Sequence, residues 1–420
     1  MTKLEQIKAA EARLLVHTYD RNPLLFTEGE GVYVMDEQGE RYLDLLSGIG
    51  VNALGYASPV IEDAIARQSK KLIHISNLYF HEGQAELALR LTELTGMDRA
   101  FFCNSGTEAW EGAMKLARAH AGILRSEGKN IGTKFLALEH SFHGRTFGSM
   151  ATTHKAKYRE PFGPVVPGVE FVKLNDVADL REKFSNEICA ILVEAIQGEG
   201  GIRPLTQEFF EEARKLASST GALLIADEIQ AGMGRTGKWC AYQHYGIQPD
   251  ITTLAKPLAG GLPLGAILCT EDVARSFHAG IHGTTFGGGP LACAVGIAVV
   301  DEIDREGLVD KIAATGDYFM DKLRGLAKKH EAIVDVRGKG LMVAAELDNA
   351  DLAKKTVAEM LKRKILINCT SDTVLRFLPP YILERAHVDT AIAALDEIFT
   401  EHAAGQLAAG SGAAASAGGH

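Results

Sequence analysis

Two charged residues each follow a short apolar run in this sequence. Asp227 follows the run at 222–226, and Lys256 follows a second run at 251–255. Both runs have the length and the β-branched content of interior parallel strands, so both residues are expected at the carboxyl edge of one sheet, where α/β proteins bind ligands. A partly desolvated lysine can form a Schiff base, and a nearby aspartate can keep a pyridine nitrogen protonated. The pair therefore suggests pyridoxal phosphate as a cofactor.

A second feature is a strand-like segment that runs directly into a helical one. Ser105, Gly106 and Thr107 stand at this junction, between the apolar 100–103 and the helical pattern that follows. Free backbone amides and the positive end of the helix dipole would converge on an anion there. A phosphate site is one interpretation. Simple capping of the helix by the two hydroxyls is the other, and on this segment alone it is the stronger.

Further candidates follow other predicted strands. Phe142, His143 and Arg145 come just after a strand that ends near Glu139, so Phe142 could lie against a cofactor ring with the arginine close by. Gln230 lies three residues after the aspartate and could reach a neighbouring ring substituent. Taken singly, the phenylalanine could equally be a core residue, and the arginine and the glutamine could be solvated.

The elements that must position these residues form two patterns. Residues 29–46 have the alternation of a small antiparallel hairpin, whereas helices and apolar strands alternate from about residue 84. That alternation predicts an α/β fold with a mainly parallel large sheet. After residue 288 come two long amphipathic helices and then short strands, which predict a smaller α+β domain. We expect four segments: residues 1–55 as the N-terminal segment of the small domain, 56–288 as the large cofactor-binding domain, 289–405 as the C-terminal small domain and 406–420 as a disordered tail.

Composition limits the classes of function. The chain has 420 residues and a formal net charge of -10, with no basic cluster, which argues against a nucleic-acid partner. Its six cysteines have no paired spacing, so neither a disulfide framework nor a metal site is expected. No apolar run approaches the ~20 residues that span a membrane, and the charged start does not resemble a signal peptide. These features predict a cytoplasmic protein that acts on small molecules.

Taken together, six motifs resemble class III aminotransferases, which are pyridoxal phosphate enzymes of fold type I. The motifs are Asn-Ser-Gly-Thr-Glu-Ala at 104–109, Phe-His-Gly-Arg-Thr at 142–146, Ile-Gln-Gly-Glu-Gly-Gly at 196–201, Asp-Glu-Ile-Gln-Ala-Gly-Met-Gly-Arg-Thr-Gly at 227–237, Leu-Ala-Lys-Pro-Leu-Ala-Gly-Gly at 254–261 and His-Gly-Thr-Thr-Phe-Gly-Gly-Gly-Pro at 282–290. The similarity extends from about residue 19 to about residue 400 in matching order. It implies that the expected fold is fold type I, with a small domain built from both ends of the chain.

The resemblance assigns roles to the candidates. It implies that Lys256 binds the cofactor covalently and that Asp227 holds its ring nitrogen. It implies further cofactor contacts, and these would come from Ser105, Gly106, Thr107, Phe142, His143, Gln230 and, from the partner subunit of a homodimer with shared active sites, Thr285. It also implies substrate contacts, which would come from Tyr19, Gly48, Arg145, Glu199 and Arg376.

In this family two arginines bind substrate carboxylates, and Glu199 would pair with the second of them, Arg376. Glutamate brings two carboxylates, whereas an ω-amino substrate places a neutral carbon beside its amine. One arginine must therefore be masked and exposed in turn, since an unpaired buried guanidinium is costly.

The resemblance implies transfer of the δ-amino group of N-acetyl-L-ornithine to 2-oxoglutarate, a step of arginine biosynthesis. The alternatives are ornithine, succinylornithine or 4-aminobutyrate as donor and, more remotely, a catalytically dead cofactor-binding protein. Gly48 favours the acylated donor, because ornithine aminotransferases carry a tyrosine there; a turn conformation is the other explanation for a lone glycine. Four residues depart from the family's pattern without removing a catalytic group: Trp110, Ala195, Pro257 and Gly289.

Overall fold

The computed structural model describes residues 1–406, and its first elements form a small sheet. The elements in order are helix α1 (Lys3–Leu14), strands β1 (Phe26–Glu30), β2 (Tyr33–Asp36) and β3 (Arg41–Asp44), and the one-turn element α2 (Ser47–Gly50). The strands pair in antiparallel fashion, as the hairpin pattern predicts. Within α2, Gly48 has a left-handed backbone with φ 63°. The expected tail lies outside the described residues except for Gln406.

Helices and strands then alternate through the large sheet. The elements are α3 (Pro59–Ser69), α4 (Glu82–Thr95), β4 (Arg99–Cys103), α5 (Gly106–Ser126), β5 (Lys134–Leu138), α6 (Phe147–Ala151), β6 (Val169–Val172), α7 (Val177–Lys183), β7 (Ile188–Val193), β8 (Ile196–Gln197), β9 (Arg203–Pro204), α8 (Gln207–Thr220), β10 (Leu223–Asp227), β11 (Ile251–Leu254), β12 (Gly265–Cys269) and α9 (Glu271–Ala274). Short 3₁₀ turns cover Ala156–Tyr158, Glu160–Phe162, Ala241–Tyr245 and Lys256–Ala259.

Seven strands make the large sheet, in the order β4-β12-β11-β10-β7-β5-β6. Only β12 runs against its two neighbours, and the other pairs are parallel. The central strands β7, β10 and β11 are buried at every position, because helices cover both faces of a parallel sheet and leave no polar side to the strand. The ends of these strands therefore open onto one edge.

The C-terminal part adds a second layered unit. It contains α10 (Pro290–Arg305), α11 (Leu308–Lys329), β13 (Ile333–Lys339), β14 (Met342–Leu347), α12 (Ala350–Lys362), β15 (Ile365–Leu366), β16 (Asn368–Thr370), β17 (Val374–Phe377) and α13 (Arg385–Ala403). Four of these strands form a sheet in the order β13-β14-β17-β16. The remaining one, β15, pairs in parallel with β3, so the two ends of the chain share a sheet. The segment boundaries expected at residues 55 and 288 stay predictions.

Within residues 1–406, no helix is both long enough and apolar enough to cross a membrane. The same described range contains no group of three His, Cys, Asp or Glu residues placed to hold a metal ion.

Candidate active site

A cavity of about 480 Å³ opens at the carboxyl edge of the large sheet. Apart from Val51, which follows α2, the residues that line it come from the segments after β4, β5, β7, β10 and β11 and from the segment that leads into the antiparallel β12. They are Val51, Asn104, Ser105, Gly106, Thr107, Phe142, His143, Gly144, Glu194, Ile196, Glu199, Asp227, Ile229, Gln230, Ala231, Ala255, Lys256 and 261–264. The sheet topology alone explains why residues so far apart in sequence meet here.

Lys256 begins a 3₁₀ turn directly beyond β11 and has a left-handed φ of 27°, a conformation that non-glycine residues seldom adopt. Such backbone conformations occur mostly at functional sites, where the surrounding structure enforces them. Burial lowers the pKa of its amine to about 8, against the opposing effect of the nearby Glu199 carboxylate. About a tenth of the amine is therefore neutral and nucleophilic at pH 7, far more than for an exposed lysine.

Asp227, the last residue of β10, is held by a buried imidazole. Its Oδ2 lies 2.6 Å from Nδ1 of His143, and its Oδ1 accepts a hydrogen bond from the amide of Ile229 at 3.0 Å. The imidazole stacks on Trp110 with ring centroids 3.9 Å apart and planes 8° apart. The indole in turn donates to Oγ1 of Thr152 at 2.9 Å. These contacts fix both the carboxylate and the ring that supports it.

The N-terminus of α5 faces the cavity. Ser105 is the N-cap and accepts a hydrogen bond from the amide of Glu108 at 3.3 Å, so the capping interpretation holds. Gly106 packs against Ile229, and a Cβ at this glycine would lie 2.8 Å from that side chain. The Thr107 hydroxyl lies 2.8 Å from those of Thr146 and Ser149. Capping and anion binding are compatible, because the amides of the first helical turn have no partner within the helix.

Glu199 and Arg376 form a buried ion pair beside the lysine. The guanidinium is fully buried, its Nη1 donates to the Glu199 carboxylate, and its Nε donates to Oδ1 of Asn368 at 3.2 Å. Gln230 joins the pair by accepting from the same Nη1 at 3.3 Å. Burial would raise the pKa of Glu199, but the charges of Arg376 and Lys256, with hydrogen bonds from Arg376 and Gln230, together outweigh burial and lower the pKa to about 2. Among residues 1–406, the buried Nη2 of Arg376 has no hydrogen-bond partner, so a donor remains for a ligand.

Glu194 is a lining residue to which the sequence analysis gave no role. It follows β7 and accepts hydrogen bonds from the amides of Phe142 at 3.1 Å and Gly198 at 3.0 Å. Burial raises the pKa of its carboxyl above the usual value. An acid directly after a buried strand is the same signal that identified Asp227, so the sequence contained the information.

Five predicted residues do not line the cavity of a single chain; one of them is Arg376, whose ion-pair partner Glu199 does line it. Arg145 is exposed beside it, with its guanidinium 4.0 Å from the centre of the Tyr158 ring. Tyr19 lines a separate surface cavity next to α1. Thr285 is exposed, and Gly48 is exposed next to the lining residue Val51. The left-handed φ of Gly48 favours glycine at this position whether or not the residue contacts a substrate.

The comparisons with known proteins agree with this arrangement. The family model described as "Aminotransferase class-III" matches residues 15–399. This chain belongs to the class III aminotransferases. An acetylornithine aminotransferase of Methanocaldococcus jannaschii is 47% identical over 93% of this chain and 97% of that protein. Another acetylornithine aminotransferase, from Caldanaerobacter subterraneus subsp. tengcongensis, is 46% identical over 93% of this chain and 98% of that protein.

Among solved structures, the ornithine aminotransferase of Toxoplasma gondii superposes with a TM-score of 0.91. It is 31% identical and covers 96% of this chain and 97% of that one. Fold type I and pyridoxal phosphate dependence, both predicted from the sequence, are confirmed for this aminotransferase.

Other lining residues of the aminotransferase were missed because their signal is weak in a single sequence. Asn104 donates from Nδ2 to Oγ1 of Thr284 at 2.9 Å, which links the start of α5 to the glycine-rich 282–288. The segment 261–264 lines the cavity because β12 runs antiparallel and therefore begins at the edge where its neighbours end. Trp110 was noted as a departure, but nothing in its spacing predicted that it stacks on the imidazole.

Proposed function

We propose that this aminotransferase moves the δ-amino group of N-acetyl-L-ornithine to 2-oxoglutarate. The observation that carries the proposal is the buried pair of Glu199 and Arg376 beside Lys256. A pair of this kind suits an enzyme whose two amino donors differ in charge next to the reacting carbon. The relatives that are 46–47% identical over most of the chain carry the name of this activity.

The residues of the cavity fit pyridoxal phosphate. We infer that Lys256 binds its carbonyl carbon, that Asp227 pairs with its ring nitrogen and that the first turn of α5 holds its phosphate. The fit rests on an amine of lowered pKa, a carboxylate fixed by His143 and a helix N-terminus at one cavity wall. When bound, the cofactor supplies an electron sink that makes the carbon bearing the amino group acidic.

The side chains of the protein then move the proton. With cofactor and substrate bound, Nζ of Lys256 would be the group that takes a proton from the substrate δ-carbon. The same amine returns the proton during the transfer, because a group with a pKa near the working pH can both accept and donate. The carboxylate of Asp227, held by His143, would pair with the ring nitrogen of the cofactor.

The pair of Glu199 and Arg376 would let one cavity accept both amino donors, acetylornithine and glutamate. With the pair closed, the guanidinium is neutralised, and the apolar carbon chain beside the δ-amine of an acylornithine meets no unpaired charge. With glutamate, the substrate α-carboxylate displaces the Glu199 carboxylate and accepts from the guanidinium. The exposed Arg145 at the cavity side is then proposed to bind the carboxylate that both substrates carry at the far end.

We also propose that the enzyme is a homodimer with shared sites. Leu78, Tyr79, Phe80 and Phe286 are exposed large apolar side chains, and such a surface favours coverage by another protein. Segment 77–84 is tied to the glycine-rich segment by bonds such as the one from Nδ2 of Asn77 to the Gly287 carbonyl at 3.1 Å. The exposed Thr285 therefore lies beside this apolar surface, as a residue that serves the partner's cofactor should.

A panel of amino donors tests the substrate. Acetylornithine, succinylornithine, ornithine, 4-aminobutyrate and acetyllysine are each supplied with 2-oxoglutarate, and glutamate is quantified. We expect the highest kcat/KM with acetylornithine. A preference for ornithine would favour the alternative activity, ornithine aminotransferase. The Toxoplasma gondii enzyme of that name has a similar fold.

A further inference from the structure

The loop that carries Glu199 has a strained backbone. Gly201 has φ 102°, and the next residue, Ile202, has φ 53°. A left-handed conformation is a genuine outlier for a β-branched residue, because its Cβ substituents crowd the backbone. Such a conformation persists only where neighbouring contacts enforce it. The pair of Glu199 and Arg376 is called the gate below, and the loop that presents its acid is therefore held in place by contacts from outside the loop.

Arg337, on β13, makes the contacts that hold this loop. Its Nε donates to the Gly201 carbonyl at 2.9 Å and to the Ile202 carbonyl at 3.1 Å, and its Nη2 donates to the Gly201 carbonyl at 2.6 Å. Its Nη1 is directed the other way, to Asp335 at 2.7 Å and to Glu346. The side chain is only 13% exposed, so these bonds are largely shielded from water. The two carbonyls that it binds belong to the strained Ile202 and to the glycine before it, Gly201.

The same sheet also carries the other half of the gate. Arg376 lies on β17, and β14 is the one strand that separates β17 from β13. Thr370, on the edge strand β16, adds a bond from its Oγ1 to the Glu199 carbonyl at 2.7 Å. The sheet thus fixes the guanidinium through β17, the carbonyl of the acid through β16 and the backbone two to three residues after it through β13.

We propose that Arg337 is a positioning residue, which keeps the Glu199 carboxylate paired with Arg376 until a substrate carboxylate displaces it. This inference rests on the proposed gate. Without Arg337 the strained turn can relax and the acid leaves the guanidinium more often. The half-reaction with acetylornithine needs the closed pair and is impaired, whereas the half-reaction with glutamate needs an open one and is largely preserved.

The test compares Arg337→Met with the wild type in single-turnover measurements of each half-reaction. We expect the acetylornithine rate to fall roughly ten-fold more than the glutamate rate, the scale of losing charge-assisted hydrogen bonds. Arg337→Lys, which keeps the charge and one donor, should recover part of this difference. The matched control is Arg363→Met, which removes a similarly shielded arginine that pairs with Glu359 and Glu401 and does not contact the loop.

The Arg337→Met substitution made in the Glu199→Ala variant tells positioning of the Glu199 carboxylate apart from a general structural effect. Combined with Glu199→Ala, the Arg337→Met change should produce no further difference between the two half-reactions, because it acts through the acid. An undiminished difference in that background, or an equal loss in both half-reactions of the single variant, overturns the inference. If Glu199→Ala alone affects both half-reactions equally, the gate itself fails, and the inference fails with it.

Hydrogen exchange in the cofactor-free protein gives a readout that does not depend on activity. The amides of residues 198–203 should exchange faster in Arg337→Met, while those of β10 keep the wild-type rate. The Arg363→Met control should leave both segments unchanged. Unaltered exchange at 198–203 would show that Arg337 does not hold the loop, whether or not the gate exists.

Discussion

The ion pair of Glu199 and Arg376 makes a quantitative prediction about stability. Glu199→Gln keeps the shape of the side chain and removes its charge. In the native protein burial would raise the pKa of Glu199, but Arg376, Lys256 and Gln230 together outweigh burial and lower the pKa to about 2, from an ordinary value of 4.5. A depression of this size corresponds to roughly 3 kcal/mol of folding free energy at neutral pH. The side chain is 9% exposed, so solvent screening is slight.

The sign of the pH dependence follows from the direction of the shift. Because the carboxyl is more acidic in the folded state, its contribution is fully present above pH 4.5. It is lost as the pH falls toward 2, since the unfolded chain then takes up the proton first. At pH 3 the contribution should be down to about 1.5 kcal/mol.

Denaturant unfolding of wild type and Glu199→Gln at pH 7, 4 and 3 measures this difference. The wild type should be more stable by roughly 3 kcal/mol at pH 7, and the advantage should shrink at each lower pH. The control is Asp63→Asn, at an exposed acid that pairs with Arg67 at 3.0 Å; exposed pairs contribute about 0–1 kcal/mol. A constant difference between wild type and Glu199→Gln at all three pH values would refute the assigned pKa and the buried pairing.

Other predictions concern catalysis. Lys256→Ala should lower turnover by about a thousand-fold or more, because it removes both the covalent anchor and the proton carrier; a near-normal rate would contradict the assignment. In the wild-type apoprotein, the rate of cofactor capture should rise with pH through about 8 as this amine loses its proton, and a flat profile from pH 7 to 9 would be inconsistent with that. Asp227→Ala should cost about a hundred-fold or more in kcat at saturating cofactor, whereas Asp179→Ala, at an acid outside the cavity, should not. Gly48→Tyr should reduce activity on acetylornithine by roughly ten-fold and on ornithine much less. If activity on both donors instead falls equally and the Tm drops, while Gly48→Asn keeps activity and Tm because asparagine tolerates a left-handed backbone, the glycine is purely structural.

The fold and most of the cavity were predictable because their determinants are local. Uniformly apolar runs such as 222–226 identify buried strands, and the carboxyl-edge rule then places Asp227 and Lys256 together without any knowledge of the distance between them. The N-cap at Ser105 is likewise readable from a serine before a helical pattern. These inferences depend on chain periodicity and not on tertiary detail.

What could not be predicted depends on contacts between distant segments. No sequence pattern indicates that Trp110 stacks on His143, since that contact depends on how α5 packs against the loop after β5. The bonds of Arg337 to the loop at 201–202 also join parts of the chain that are more than a hundred residues apart. The positions of Tyr19 and Thr285 relative to a complete site depend on a second subunit under the proposed assembly.

The central claim is that one buried arginine is masked for the acylated donor and exposed for glutamate. Single-turnover kinetics of Arg376→Met, with each donor in turn, tests it most directly. The claim predicts that the glutamate half-reaction falls about a hundred-fold or more, because the α-carboxylate loses a buried bidentate partner, while the acetylornithine half-reaction changes by less than about ten-fold. Equal losses in the two half-reactions would contradict it.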